Sequence, residues 1–140
     1  IWFDYNIPKD SIVIEVSEDK VKGGLSDVLD KIVELKNNGF HIAIDNYGAK
    51  YADLFLFSEV KFDTLKLDRE LVHKLETDEK TCMISKSVID ICKNYNISVV
   101  AEGVENEKEY DILKEMGCDE AQGYLFDKPM SWNRFEEKYL

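Results

Sequence analysis

Five short apolar runs recur along the chain, and each ends on polar residues. They are Ile12-Val13-Ile14-Glu15, His41-Ile42-Ala43-Ile44-Asp45, Thr64-Leu65-Lys66-Leu67-Asp68, Ser98-Val99-Val100-Ala101-Glu102 and Glu120-Ala121-Gln122-Gly123. Short runs rich in Val and Ile, closed by an acid or a turn, read as buried parallel strands. The pattern predicts strands over Ile12–Val16, Phe40–Asp45, Phe62–Asp68, Ile97–Glu102 and Glu120–Gly123.

Between these runs the apolar period lengthens to that of a helix. Leu25, Val28, Leu29, Ile32, Val33 and Leu35 recur at helical spacing, and Asn38-Gly39 closes the segment. A short aromatic-rich helix is predicted over Tyr51–Ser58, with Leu54 and either Phe55 or Phe57 turned inward. Glu70–Leu75 reads as a helical turn. A longer helix over Asp78–Asn94 would bury Met83, Ile84, Val88, Ile91 and Cys92. Asn106 is placed to cap a helix carrying Tyr110, Ile112, Leu113 and Met116, which Gly117 ends. Ser131 is placed to cap a last helix over Trp132–Tyr139. Ile1–Tyr5 reads as the tail of an earlier element, and Gly23-Gly24 as a loop break.

Strand and helix therefore alternate through the chain, with no linker or low-complexity tract between them. Such a series makes either an open doubly wound sheet or part of a (β/α)8 barrel. A complete barrel takes ~250 residues, so five βα units form only part of one. In both architectures ligands bind at the C-terminal ends of the strands, where the polar residues gather.

The 140 residues fit one domain, and a 44% hydrophobic content supports a packed core. The formal charge is −11, from 29 acids and 18 bases. Such a surface repels a DNA or RNA duplex, and no basic run offsets it. Cys82, Cys92 and Cys118 form no CxxC pair and read as reduced thiols of an intracellular protein, which places the chain in the cytoplasm. No apolar run approaches the ~20 residues of a membrane span. The start shows no signal peptide, and Ile1 is not a natural initiator, so the sequence reads as a piece of a longer chain.

Candidate chemistry lies in the acids. Glu15, Asp45, Asp68 and Glu102 stand at the ends of four successive strands. In a curled parallel sheet these ends converge, and crowded carboxylates repel unless a cation or proton lies between them. Hard oxygen ligands of this kind suit magnesium, manganese or calcium. The plainer alternative for any single acid is that it caps the following loop or helix. Lys66 lies two residues before Asp68 and points to the same side. It needs an anionic partner, either these acids in a structural pair or a substrate phosphate. Gln122 can position a water or make an ordinary hydrogen bond. His41 and His73, the two histidines, give neither a zinc site nor a triad, and Ser85 and Ser87 have no base near them in the pattern.

Five motifs carry a family resemblance. Ile14-Glu15-Val16-Ser17-Glu18, Ile44-Asp45-Asn46-Tyr47-Gly48, Phe62-Asp63-Thr64-Leu65-Lys66-Leu67-Asp68, Ala101-Glu102-Gly103-Val104-Glu105 and Gln122-Gly123-Tyr124 follow one another as in the later part of EAL domains, and Lys128-Pro129 fits the terminal pattern. The chain resembles the C-terminal portion of such a domain over residues 1–140. The resemblance implies part of a (β/α)8 TIM-type barrel and the activity of a cyclic di-GMP phosphodiesterase using Mg2+ or Mn2+. It implies Glu15 and Asp45 as metal ligands, with Asn46 at a further, degenerate ligand position. It implies Lys66 on the attacking water or phosphate, supported by Asp68. Glu102 would ligate metal or take the proton from water, and Gln122 would hold a metal-linked water. Glu18 would brace the loop after Asp45, and Glu105 would hold the nearby loop.

Two departures bear on activity. The Glu-Ala-Leu motif and the asparagine that follows it on the next strand are absent from these residues. Where the family has Asp-Asp-Phe-Gly-Thr-Gly, this chain has Asp45-Asn46-Tyr47-Gly48-Ala49-Lys50. A neutral amide is a weaker ligand for a hard dication, and Lys50 replaces a glycine in a loop that needs backbone freedom. The readings are a working phosphodiesterase, a dinucleotide-binding sensor and a protein-interaction module, with this chain alone inactive. A barrel arc also has two free edges. The apolar faces of Val13, Ile42, Leu65 and Val99 would then meet water, which predicts a homodimer through the open side.

Overall fold

Strands β1 (Val13–Ser17), β2 (His41–Tyr47), β3 (Thr64–Leu67), β4 (Ser98–Glu102) and β5 (Glu120–Gln122) pair in chain order, each neighbour parallel to the next. The computed structural model describes residues 7–22, 26–49, 53–54 and 56–140. The expectations for Ile1–Tyr5, Gly23-Gly24, Leu25, Lys50, Tyr51 and Phe55 fall outside those residues. Strand order decides between the two architectures left open above. A doubly wound sheet reverses its winding at a switch point. Here the order never reverses, so the sheet is an arc of a barrel.

Helices α1 (Glu18–Lys22), α2 (Ser26–Asn37), α3 (Leu56–Glu59), α4 (Arg69–Lys74), α5 (Glu79–Asn94), α6 (Glu107–Met116) and α7 (Trp132–Tyr139) fill the connections, after a 3-10 turn at Lys9–Ser11. Asp68, Asp78 and Asn106 cap α4, α5 and α6 by accepting the backbone N–H of Glu70, Lys80 and Glu109. Ser131 precedes α7 but makes no side-chain cap bond.

Alternation along the strands divides their side chains between two faces. Ile42, Ile44, Tyr47, Leu65, Leu67, Val99 and Ala101 face the helices and are fully buried. They pack with Val88, Ile89 and Cys92 of α5 and Leu113 of α6. The expectation that Ile42, Leu65 and Val99 would meet water is therefore wrong. The helices cover that face, and of the four residues only Val13, at the free edge of β1, is exposed.

Three inward assignments also fail. Met83 and Ile84 are 66% and 52% exposed, because the buried stripe of α5 runs through Ser85, Val88, Ile89 and Cys92. A small serine at that end of the stripe disguised its phase. Leu54 is 56% exposed, while Phe57 packs between the rings of Tyr47 and Phe62. All three cysteines are free, and burial pushes the Cys92 thiol up to about 12.

Two aspartates just ahead of strands tie the N-terminal end of the sheet. Asp63 accepts the Ile42 N–H at 2.8 Å and the Lys36 ammonium at 2.5 Å, and Asp119 accepts the Val99 N–H at 2.8 Å. At the opposite end the β2–β3 register slips between Ile44 and Tyr47, where Asn46 takes a φ of +58°. The extra residue makes a bulge, which re-aims side chains at a strand end. It leaves Ile44 and Tyr47 both in the core, with Asp45 and Asn46 at the rim. No helix among the described residues is long and apolar enough to cross a membrane.

Candidate active site

Four side chains from four strands meet at the C-terminal end of the sheet. Lys66 Nζ on β3 lies 2.7 Å from Glu15 Oε1 on β1, 3.1 Å from Asp45 Oδ1 on β2 and 2.8 Å from Glu102 Oε1 on β4. The Lys66 side chain is 13% exposed. Burial alone would lower its pKa, but hydrogen bonds to Glu102 and Glu15 and the close Asp45 carboxylate raise it well above the ordinary lysine range. Lys66 is thus a fixed positive charge held by three acids.

The neighbouring amides complete the cluster. Gln122 Nε2 on β5 donates to Glu102 Oε1 at 2.7 Å, so one carboxylate oxygen accepts from both Gln122 and Lys66. Asn46 Nδ2 donates to Asp45 Oδ2 at 2.5 Å. Asp45 Oδ1 is buried and accepts no well-aligned hydrogen bond, although the Lys66 charge is nearby. A buried carboxylate oxygen with only an ammonium at 3.1 Å beside it keeps lone pairs that fit a hard cation. Glu15, Asp45 and Glu102 could contribute oxygen ligands. Among the described residues, however, no three such side chains are grouped to hold an ion by themselves. Lys66 stands between them.

The remaining candidate residues sit around this centre. Glu18, 5% exposed, accepts the N–H of Gly48 and that of Asp53, each at 3.1 Å. It spans the loop that leaves Asp45. Asp68 caps α4 through the Glu70 N–H at 2.8 Å rather than bonding to Lys66, so for this acid the plainer use applies. Glu105 is half exposed and lies 3.9 Å from His73 Nε2.

Sequence reading missed Glu109. It is 3% exposed, accepts the Glu105 N–H at 2.7 Å and lies 2.8 Å from His73 Nδ1. Burial would raise its carboxyl, but the Glu105 N–H and His73 hold it below the usual range. The signal was present: Asn106-x-x-Glu109 is a capping-box spacing. The same contacts give His73, which had no role, a place on the loop that follows Glu102.

Beside Gln122 a groove of about 590 Å3 runs along the rim, lined by Arg69, Glu105, Tyr124, Lys128, Phe135 and Tyr139 among others. Its cations suit phosphate, and its aromatic rings suit a flat base. Lys128 Nζ itself lies 5.3 Å from the Tyr124 ring centroid. Gly103 and Gly123 bring the backbones together behind this groove. A Cβ on Gly103 would lie 2.4 Å from Arg69 Cβ, and one on Gly123 would lie 2.1 Å from the Val104 carbonyl oxygen.

Comparison with known proteins places these features. The cyclic di-GMP phosphodiesterase RocR of Pseudomonas aeruginosa is 35% identical over 132 residues, covering 94% of this chain and 34% of that protein. The crystal structure of the EAL domain of Mycobacterium smegmatis DcpA superposes with a TM-score of 0.86 at 31% identity, covering 97% of this chain and 61% of that one. Klebsiella pneumoniae BlrP1, solved with manganese and cyclic di-GMP, superposes with a TM-score of 0.86 at 33% identity, covering 91% of this chain and 32% of that one. The chain thus spans about a third of the length of RocR and of BlrP1. The EAL domain family matches residues 1–129, and the chain belongs to that family.

Proposed function

We propose that the mouth formed by Glu15, Asp45, Lys66, Glu102 and Gln122 binds cyclic di-GMP, and that it contributes most of the machinery for opening it to linear pGpG. The observation that carries this reading is the convergence of three acids and a lysine at one strand end, beside a groove with cations and aromatic rings. Glu15, Asp45 and Glu102 would hold Mg2+ or Mn2+, with Asn46 a weak neighbour. The bound ion would lower the pKa of a water and neutralise the phosphodiester. Lys66 would orient the water or the phosphate. Glu102, fixed by Gln122, would either serve as that metal ligand or take the proton from the water. Glu18 would hold the loop behind Asp45, Asp68 would set the start of α4, and Glu105 would border the groove.

A second reading is favoured by Asn46 and by the ammonium among the acids: a sensor that binds the dinucleotide without cutting it. We propose residues 1–140 as the C-terminal part of an EAL domain that acts in the cytoplasm, where cyclic di-GMP would reach it, and that associates as a homodimer. Exposed Val13, Leu54, Met83 and Ile84 support association.

Calorimetry with cyclic di-GMP, with and without Mg2+ or Mn2+, tests the site. Chromatography of the same mixtures tests the chemistry. The expected result is binding without release of linear dinucleotide at ~1 s⁻¹ or more. Absence of binding refutes the site, and turnover at that rate refutes the inactivity of this chain by itself.

A further inference from the structure

We propose that Lys66 is a resident cation that a divalent ion must displace, so that this one side chain both assembles the acidic mouth and holds down its metal affinity. The proposal rests on the reading of Glu15, Asp45 and Glu102 as metal ligands. These three acids come from three separate strands, and each lies within 3.1 Å of the same ammonium.

An ammonium has three protons to donate and no lone pair, so it cannot serve as a ligand. It occupies the space between the carboxylates and repels a second cation placed there. Without it the acids would repel one another and spread apart. The lysine therefore keeps the mouth converged when no ion is bound. Its four-carbon stem is flexible, so the head can swing out from between the acids, to the side where it would meet the water or the phosphate, while the strands stay in place. Two of the three acids are anchored independently of it: Glu102 is tied to Gln122 at 2.7 Å, and Asp45 to Asn46 at 2.5 Å. An entering dication would take the oxygens of Glu15, Asp45 and Glu102 that Lys66 now holds.

Two measurements on residues 1–140 test this. The first is Mn2+ titration by calorimetry for the parent chain, Lys66→Met and Lys66→Arg. Lys66→Met keeps similar length without charge and is expected to bind Mn2+ at least tenfold more tightly. Lys66→Arg keeps the charge and is expected to bind no more tightly than the parent. Should Lys66→Met fail to fold without metal, its melting temperature across a Mn2+ series reads the same affinity, and failure to fold at any Mn2+ concentration counts against the proposal. The second is amine labelling of the parent chain with mass-spectrometric readout. Lys66 is expected to be protected without Mn2+ and modified with it.

A folded Lys66→Met that binds Mn2+ no better than the parent overturns the proposal while leaving a metal site standing. So does a Lys66 that stays protected when the parent is saturated with Mn2+. If neither protein binds Mn2+, the proposal and the assignment of the metal ligands both fail, whereas binding of cyclic di-GMP is read separately. Binding gained only on removing the lysine charge supports the proposal.

Discussion

Replacing Gly123 by alanine isolates a steric requirement at the site. A Cβ there would lie 2.1 Å from the Val104 carbonyl oxygen and 2.3 Å from the Val104 nitrogen. Both are backbone atoms, so no side chain can rotate away, and the two segments must separate. Two bonds join them at this point: the Val104 N–H donates to the Gln122 carbonyl at 3.0 Å, and the Leu125 N–H donates to the Val104 carbonyl at 3.0 Å. Loss of both costs about 2 kcal/mol, and overpacking adds about 1 to 3 kcal/mol. For a domain near 150 residues, with roughly 2 to 4 °C per kcal/mol, the melting temperature should fall by about 10 °C. Gly39 is the control, since its φ of +88° is left-handed but nothing lies within 4 Å of an added Cβ. Gly39→Ala should cost only backbone strain, about 1 to 2 kcal/mol. Thermal melts followed by circular dichroism should rank Gly123→Ala well below Gly39→Ala, and cyclic di-GMP binding should fall with it, because Gln122 and Glu102 flank the opened contact. Melting of Gly123→Ala within 2 °C of the parent would refute the close approach of β5 to the Glu102 loop.

Other substitutions probe the remaining contacts. Asn46→Asp removes the amide donor to Asp45 and adds a charge, so it should lower metal-free stability and strengthen Mn2+ binding at least tenfold; unchanged calorimetric affinity would count against Asn46 as a degenerate ligand position. Glu18→Ala leaves the Gly48 and Asp53 N–H groups without these acceptors and should cost about 3 kcal/mol, read by urea titration; a cost under ~0.5 kcal/mol, the range of ordinary surface changes, would show that the loop does not depend on this brace. Burial would raise the Asp63 carboxyl, but Lys36 and the Ile42 N–H hold it below the usual carboxylate range. Its contribution to stability is therefore full above the unfolded pKa of ~4 and lost as pH falls through the lower folded value. Asp63→Asn should cost roughly 1 to 2 kcal/mol at neutral pH and flatten part of the stability loss below pH ~4, and an acid-melt profile parallel to the parent's would exclude that role.

Most of the strands and the longer helices were legible because their apolar periods are unambiguous. β2 and β4 deliver Asp45 and Glu102 to the C-terminal end, as alternation requires. The cap at Asn106 was readable from residue type and position. The buried face of α5 was not, because Ser85 occupies a core position and Met83 and Ile84 offered a more apolar choice. The exposure of the strands was misjudged for a different reason. A parallel strand has two apolar-capable faces, and sequence alone does not say which one the helices cover. Convergence of the acids on Lys66 followed from strand parity, but Asp68 shares that parity and is taken up by the cap of α4. Parity places a side chain on a face, and the next element then competes for it. Glu109 was overlooked because it lies inside a helix, away from any strand end, although its capping-box spacing was visible.

The charge balance of the mouth links these observations to the competing functions. Glu15, Asp45 and Glu102 bring three negative charges to one ammonium, which leaves an excess of negative charge where a dication would fit. A second aspartate at position 46 would deepen that excess and set two carboxylates in contact. Asn46 instead donates a hydrogen bond to Asp45 at 2.5 Å, which turns a repulsion into an attraction. The amide lowers the demand for a cation while leaving the backbone geometry intact, because asparagine tolerates the left-handed φ found there. The lysine then suffices to hold the acids together. One oxygen, Asp45 Oδ1, still has no aligned donor. The two readings accordingly differ in a single quantity, the affinity of the three acids for a dication in competition with Lys66. High affinity makes the mouth a hydrolase centre, and low affinity leaves a rigid acidic rim beside a groove suited to phosphates and bases.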